Sequence, residues 1–220
     1  MVMTTAPKFE GSYFDEAYGP NYQLRNPNYK WESFLKIIRN HATSGRLLDV
    51  GCAYGLFLSN ALPFFNCTGV DISYHAVQKA RNTLPPGVGL FVAEAGAIHT
   101  DAQFDIITCF DILEHTADLD LVLENLWDLL AEDGLLVFTV PVYDGPIGWL
   151  VNLLDKDQTH HYRCARGFWL DKIKNKFTLL EYTGIWRYFL LNRFYINQLS
   201  SSTRRVTPAI MIVAKKESQK

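Results

Sequence analysis

The sequence predicts an α/β fold in which helices cover both faces of a mostly parallel sheet and an antiparallel pair of strands forms one edge. Short apolar runs of strand length alternate with segments of helical periodicity over residues 45–141. Glycine and proline residues separate these segments, as expected for turns. Near the C-terminus, segments 177–183 and 206–214 both look like strands with no long helix between them, which predicts the antiparallel pair.

The elements follow in order along the chain. Residues 1–27 are tyrosine-rich and broken by Gly-Pro and Asn-Pro pairs, so we expect irregular structure there. The strands of the parallel part are predicted at 46–50, 67–71, 88–93, 104–110 and 135–140. The helices are predicted from Tyr29 to about His41, at about 54–62 before Pro63, from an N-cap at Ser73 to Pro85, and near 118–131 with Gly134 just past its end.

Composition limits the classes of function. At 220 residues the chain is most simply one domain, and a net charge of −2 gives no general attraction to nucleic acid. No segment has the length and apolarity of a membrane span, and the N-terminus lacks the apolar core of a signal peptide. The four cysteines lack paired or zinc-type spacing, which suits a reducing compartment. We therefore expect a cytoplasmic protein.

The most informative motif is a glycine-bracketed turn that follows an apolar strand carrying an acid. Glycine tolerates positive φ and lets a ligand lie directly against the backbone. An acid two residues before the first glycine is unusual for a dinucleotide-binding turn, and it suits a ligand that carries a positive amine. The residues assigned to ligand binding here are Asp49, Gly51, Cys52, Ala53 and Gly55.

Two further motifs lie at the spacing of a nucleoside-binding sheet. A short strand ends in Asp71, twenty residues after Gly51, where a βαβ unit places the carboxylate that binds ribose hydroxyls. The strand 104–110 then runs into a cluster of ionisable residues, 111–115. Since ligands of such sheets bind at the carboxyl ends of the strands, these motifs are expected to surround one crevice.

With the strand-like segment 134–141, these motifs resemble class I S-adenosylmethionine (SAM) dependent methyltransferases, strongly over about 45–141 and more loosely on the flanks. The resemblance implies a Rossmann-like, seven-stranded, mostly parallel sheet and SAM as the cofactor. It also implies that the glycine turn holds the methionine part of SAM and that Asp71 binds the ribose. The other residues that it assigns to the cofactor are Ile72, Glu94, Ala95 and Phe110.

The adenine contacts are the least regular part of the resemblance. The family usually has an aspartate where this chain has Glu94, so Glu94 could instead be an ordinary loop carboxylate while the amide of Ala95 meets the ring. The tyrosines of the first 22 residues (Tyr13, Tyr18 and Tyr22) could close over the pocket, where aromatic faces attract a sulfonium cation, or could pack on the outside of the sheet.

Two histidines are candidate bases for the acceptor. His115 ends the segment 111–115, which resembles ubiquinone-pathway O-methyltransferases. If that segment were helical, Asp111, Glu114 and His115 would share a face that could ligate a metal ion. A structural or substrate-facing role is favoured, and no metal is assigned. His160 lies in the segment 157–162, where the family usually builds its acceptor lid.

The parts of the single domain follow from these assignments. They are an N-terminal cap and helix (1–44), a SAM-binding core (45–141), an acceptor lid (142–176) and C-terminal edge strands (177–220). The apolar segments 145–151 and 185–191 could line an acceptor pocket, form a homodimer contact or cover the sheet edge.

The sequence thus predicts a SAM-dependent methyltransferase that acts on an oxygen or nitrogen of a small molecule. An NAD(P)-dependent oxidoreductase is the first alternative, although Ala53 and Leu56 break the G-x-G-x-x-G pattern. A catalytically silent SAM-binding regulator is the second. The chain lacks an Asn-Pro-Pro-Tyr base-flipping motif, which disfavours nucleic acid as the acceptor. A protein acceptor stays open.

Overall fold

A computed structural model describes residues 22–155, 157–190 and 194–217. In chain order, the strands are β1 (Arg46–Val50), β2 (Asn66–Asp71), β3 (Gly89–Val92), β4 (Phe104–Phe110), β5 (Leu130–Pro141), β6 (Thr178–Leu190), β7 (Phe194–Ser200) and β8 (Ala209–Lys215). The helices are α1 (Tyr22–Arg25), α2 (Asn28–Arg39), α3 (Leu56–Ala61), α4 (Tyr74–Thr83), α5 (Leu119–Leu129), α6 (Gly148–Leu154) and α7 (Arg166–Lys174), with a 3₁₀ turn at Leu113–His115.

All of these strands join one sheet in the order β3-β2-β1-β4-β5-β8-β6-β7. Strands β1 to β5 are parallel, whereas β8 pairs antiparallel with both β5 and β6, and β6 pairs antiparallel with β7. The direction of winding reverses between β1 and β4, because the chain fills one half of the sheet before the other. The predicted α/β class, with its mostly parallel sheet and antiparallel edge, is confirmed.

Each central strand contributes to a core on both faces of the sheet. Leu47 of β1 packs among the side chains of α2, α3 and α4, whereas the next residue, Leu48, packs on the opposite face among those of α5 and α7. The same alternation holds for Ile106 and Ile107 of β4. Strands buried on both faces read as continuous apolar runs, which explains why the sequence shows them clearly.

Two helices begin at a residue whose side chain caps the helix N-terminus. Ser73 caps α4, because its hydroxyl accepts a hydrogen bond from the amide of Ala76 at 3.2 Å, as predicted. Asp118 caps α5 in the same way through the amide of Leu121 at 3.0 Å. Both caps satisfy amides that have no partner within the helix.

The sheet differs from the expectation in two respects. It has eight strands rather than seven, because the chain turns back after β6 to form β7 as an additional edge strand. Gly134 was predicted as the residue after a helix, but it lies inside β5, since α5 ends at Leu129 and the strand begins at once.

Some expectations concern residues without a described structure. Tyr13 and Tyr18, which could close over the pocket or pack on the outside of the sheet, lie in 1–21, outside the described residues. Within the described part of the chain, no helix combines the length and apolarity that crossing a bilayer requires.

Candidate functional site

A cavity of about 480 Å³ lies at the carboxyl ends of the strands, beside the point where the winding reverses. Its volume is in the range of small-molecule and cofactor sites. Of the residues predicted to hold the cofactor, those on its wall are Asp49, Gly51, Cys52, Ala53, Asp71, Ile72, Glu94, Ala95 and Phe110. Gly55 lies outside the wall, at the N-terminus of α3.

The glycine turn needs its first glycine for two reasons. Gly51 has a φ of +77°, a conformation that other residues rarely adopt, and a Cβ there would lie 2.0 Å from Cδ1 of Ile112. The amides of Gly51 and Cys52 both donate to the carbonyl of Val70, at 2.7 and 3.0 Å. The turn is therefore tied to β2, so its backbone forms a fixed wall of the cavity.

Asp71 connects the turn to the second strand. Its Oδ2 accepts from the amide of Ala53 at 2.8 Å, and its Oδ1 accepts from the amide of Ser73 at 2.9 Å. The side chain is buried yet lines the cavity. Since each carboxylate oxygen has two lone pairs, both can accept a further hydrogen bond from a ligand while they organise the loop.

Asp49 lies beneath the turn and is almost fully buried. Its Oδ1 accepts from the hydroxyl of Thr108 at 2.7 Å. Burial raises the pKa of Asp49 to about 7, although the Thr108 hydrogen bond opposes the shift. A carboxylate held in so dry a position is costly unless a cation accompanies it, which favours a positively charged group of a ligand beside it.

Lys30 forms another part of the cavity wall and was not predicted from the sequence. It is only 4% exposed, its Nζ donates to Oδ1 of Asn26 at 3.0 Å, and it lies 4.3 Å from the centre of the Trp31 ring. Burial lowers the pKa of Lys30 to about 7, partly opposed by Asp111. A signal was available, because Lys30, Phe34 and Ile38 share the buried face of α2, where a lysine is unexpected.

Asp111 directly follows β4 and lies close to two positively charged side chains from other elements. Its Oδ2 lies 2.9 Å from Nη1 of Arg187 and 4.0 Å from Nζ of Lys30, and its Oδ1 accepts from the hydroxyl of Thr139 at 2.9 Å. Although burial opposes the effect, Arg187 and Lys30 hold the pKa of Asp111 below its ordinary value. This carboxylate is therefore the counter-ion of two cations, the buried Lys30 and the partly buried Arg187.

His115 lies on the cavity wall in the 3₁₀ turn that follows β4. Its Nδ1 is 2.7 Å from Oγ1 of Thr159, a residue of the segment predicted as the acceptor lid. That segment is attached to the same turn, because the amides of His161 and Tyr162 both donate to the carbonyl of Glu114. Burial and the neighbouring His160 lower the pKa of His115 to about 4, so its ring is neutral near pH 7.

His160, the other predicted base, is not among the residues of the cavity wall. It lies behind His115, with 4.6 Å between the ring centres. Its Nδ1 is 2.7 Å from Oδ2 of Asp155 and 3.0 Å from the hydroxyl of Tyr143. The exposed His161, not chosen from the sequence, does line the cavity.

The three residues that could have ligated a metal ion from one helical face, Asp111, Glu114 and His115, do not share such a face. Asp111 turns towards Arg187, and the three-residue turn 113–115 is no α-helix. Ligand atoms of Glu114, His115 and His160 do lie within 4.8 Å of one another, an arrangement that a cation could occupy. Burial and the nearby Asp111, however, raise the pKa of Glu114 well above its ordinary value, which favours an uncharged carboxyl.

Among the described residues of the apolar segments 145–151 and 185–191, none lines this cavity. Within the first, Trp149 of α6 is 69% exposed. Within the second, Ile185 is fully buried in the core on the α2 side of the sheet.

Comparison with known proteins agrees with this geometry. A family model described as a methyltransferase domain matches residues 22–191, most of the chain. Curated relatives named ubiquinone biosynthesis O-methyltransferase include one from Paraburkholderia phymatum, 31% identical over 131 residues, and one from Coxiella burnetii, 35% identical over 113 residues. These matches cover 56% and 48% of this chain and 53% and 48% of the relatives. The chain thus spans about half the length of the curated relatives it matches.

Solved structures share the fold at low sequence identity. A SAM-dependent methyltransferase of Thermotoga maritima, described as a possible histamine N-methyltransferase, superposes with a TM-score of 0.69 at 15% identity, covering 93% of this chain and 97% of that one. The N-methyltransferase NodS of Bradyrhizobium japonicum, crystallised with S-adenosylhomocysteine, superposes with a TM-score of 0.63 at 16% identity, covering 90% and 92%.

Proposed function

This chain belongs to the methyltransferase-domain family, and from that premise we propose that it transfers the methyl group of SAM to an oxygen or nitrogen of a small-molecule acceptor. Membership in the SAM-dependent class, and SAM as the cofactor, are confirmed as predicted from the sequence. The observation that carries the proposal is one cavity whose wall holds Asp49, Asp71 and the neutral His115. Family membership favours this function over the nicotinamide-dependent alternative.

The nucleoside half of SAM fits the β2 side of the cavity. The carboxylate of Asp71 has acceptor capacity for both ribose hydroxyls, and it already fixes the loop around them. Ile72 and the backbone near Ala95 lie on the same wall and would contact the adenine. Glu94, exposed on that wall, would accept a hydrogen bond from the adenine amino group.

The methionine half of SAM fits the part of the wall that carries Asp49 and Lys30, because the charges are complementary. It carries one ammonium group and one carboxylate, and the wall offers Asp49 and Lys30, each buried with a pKa shifted towards its uncharged form. An ionic partner for each would restore both charged forms. We assign Asp49 to the ammonium group and Lys30 to the carboxylate.

We assign removal of the acceptor's proton to His115. SAM supplies an electrophilic methyl group, whose bond to sulfur breaks towards sulfur as the acceptor's lone pair bonds to carbon, leaving S-adenosylhomocysteine. The protein has to hold the acceptor in line with that methyl group and, for a hydroxyl acceptor, remove its proton. His115 lines the cavity, and its ring is neutral near pH 7, so it has a nitrogen lone pair for that proton, although the burial that keeps it neutral also makes it a weaker base.

Transfer of a labelled methyl group tests the proposal. The chain, incubated with tritiated SAM and a set of hydroxylated and amino metabolites, is expected to label at least one of them. Binding of SAM with no labelled product from small molecules would favour the silent regulatory protein. Label that appears only in added protein would reassign the acceptor class.

Replacing Lys30 with methionine should weaken S-adenosylhomocysteine binding about 10-fold or more, because a charged hydrogen bond contributes about 1.5–3 kcal/mol. Binding of 5′-methylthioadenosine, which lacks the amino-acid part, should be unchanged. Calorimetry measures both ligands. Lys36→Met, on the exposed side of the same helix, is the matched control. Equal losses for both ligands would contradict the assignment of Lys30.

Affinity for S-adenosylhomocysteine should fall as the pH drops below about 7, the value to which burial raises the pKa of Asp49. Only the ionised carboxylate attracts the ammonium group, so each further pH unit should cost about tenfold. Burial lowers the pKa of Lys30 to about 7, so Lys30 gains its proton as the pH falls; this strengthens its attraction for the ligand carboxylate and cannot cause a loss of affinity. This fall in affinity at low pH, the acid limb of the pH profile, should disappear in Asp49→Asn. Calorimetric titration with S-adenosylhomocysteine between pH 5.5 and 7.5 measures it. Persistence of the limb in that variant would place the titrating group elsewhere.

A further inference from the structure

The neutral ring of His115 has two tautomers, and only one of them leaves Nε2 able to accept a proton. Whether His115 can act as a base therefore depends on the hydrogen bonds of Nδ1 as well as on the position of the ring. Nδ1 lies 2.7 Å from the hydroxyl oxygen of Thr159, which is itself buried. A hydroxyl can either donate or accept in such a contact, so the rest of its surroundings decides the direction.

The hydroxyl of Thr159 donates its proton in a hydrogen bond to Asp157. Oγ1 lies 2.6 Å from Oδ1 of Asp157, which also accepts from the amide of Thr159 at 2.8 Å. Although burial opposes the effect, these hydrogen bonds and the nearby histidines hold the pKa of Asp157 below its ordinary value. The carboxylate is thus ionised near pH 7 and can only accept. Since a hydroxyl has one proton, Oγ1 must accept from Nδ1 of His115.

We infer that Thr159 and Asp157 are positioning residues, which hold His115 as the Nδ1–H tautomer so that Nε2 takes the acceptor's proton. The chain of contacts runs from Asp157 through the Thr159 hydroxyl to Nδ1, and it joins the lid segment to the turn after β4. This inference deepens the proposed function and rests on it for the catalytic consequence. The tautomer is inferred from two contacts, Nδ1 of His115 with the Thr159 hydroxyl and that hydroxyl with Asp157.

His160 packs against the residues of this hydrogen-bonded chain and is not itself the base. Its ring packs against that of His115, its Nδ1 contacts Asp155, and its Nε2 lies 3.9 Å from Oδ2 of Asp157. It therefore borders both the base and the carboxylate that directs the base. The histidine that the sequence offered as a second base thus fills the space behind the first one.

Nitrogen-15 NMR of the histidine side chains, at pH 7.5 and with S-adenosylhomocysteine bound, tests the inference without any turnover. In the wild-type chain we expect His115 to carry its proton on Nδ1. Thr159→Val should release this constraint and yield a mixture of tautomers, whereas Thr159→Ser, which keeps the hydroxyl, should retain Nδ1–H. In Asp157→Asn the amide can donate to Oγ1, so the hydroxyl can turn towards Nδ1 and the Nε2–H form should appear.

Kinetics supply the second readout once an acceptor is identified. Thr159→Val should lower kcat about 10- to 100-fold, the loss typical when a hydrogen-bond partner that orients a metal-bound histidine is removed, with KM for the acceptor and affinity for SAM unchanged. Thr159→Ser should restore kcat. Melting curves show whether each variant is folded.

An Nε2–H tautomer in the wild type, or an Nδ1–H tautomer that survives folded Thr159→Val unchanged, would overturn the inference. If the predicted tautomer is found in a chain that transfers no methyl group, the positioning contacts stand and the proposed function fails. The two ideas are therefore tested separately.

Discussion

Replacing Asp71 with alanine is expected to raise the dissociation constant of SAM at least about 100-fold. Each hydrogen bond from a ribose hydroxyl to the carboxylate contributes about 1.5–3 kcal/mol, and each 1.4 kcal/mol is a factor of ten. The variant also loses the acceptors for the amides of Ala53 and Ser73, so the loop around the ligand loosens. Calorimetric titration with SAM measures the loss.

Two variants separate these causes. Asp71→Asn keeps one carbonyl oxygen in place and should lose less affinity than the alanine variant. Glu94→Gln changes an exposed carboxylate on the same wall and should change affinity less than about 10-fold, the size of one hydrogen bond. If Asp71→Ala binds SAM as tightly as the wild type does, the ribose does not lie on β2.

Replacing His115 with glutamine is expected to lower kcat by about 10² to 10⁴, the usual contribution of a general base, and to leave the affinity for SAM within about 2-fold of the wild type. The amide can still form hydrogen bonds but cannot take the proton. Single-turnover transfer from labelled SAM to a hydroxyl acceptor measures the effect. His161→Gln, at another histidine of the cavity wall, is the matched control and should be nearly silent.

The alternative of a cation at Glu114, His115 and His160 predicts a different result. Dialysis against EDTA is expected to leave turnover unchanged, because an uncharged Glu114 and hydrogen-bonded histidines make a weak site for a divalent ion. Loss of turnover on chelation, with recovery on adding Mg²⁺, would mean that His115 is a ligand and not the base.

The sequence revealed the cofactor side of the cavity well because that side is built from local motifs. Asp49, Gly51 and Asp71 belong to strand–turn–helix units, and a parallel sheet brings the carboxyl ends of β1 and β2 to one edge. Spacing along the chain was therefore enough to place these residues together. The family resemblance added the chemical identity of the ligand.

The parts that the sequence missed depend on contacts between distant elements. Lys30 reaches the cavity only because α2 packs against the sheet, and its counter-ion Asp111 is paired with Arg187 of β6. His160 appeared equal to His115 as a base, since nothing local shows which of two histidines faces a cavity. The sequence predicted a strand only at 177–183, whereas β6 continues to Leu190 and pairs with the additional edge strand β7, because tertiary pairing decides among the structures that such apolar segments can adopt.

A crystal structure of the chain with S-adenosylhomocysteine tests the central claim most directly. We expect the nucleoside in the cavity, with its ribose hydroxyls on Asp71, its amino-acid part between Asp49 and Lys30, and its sulfur on the side of His115. Density for the ligand at any other place, or a cavity that stays empty under saturating ligand, would contradict the account.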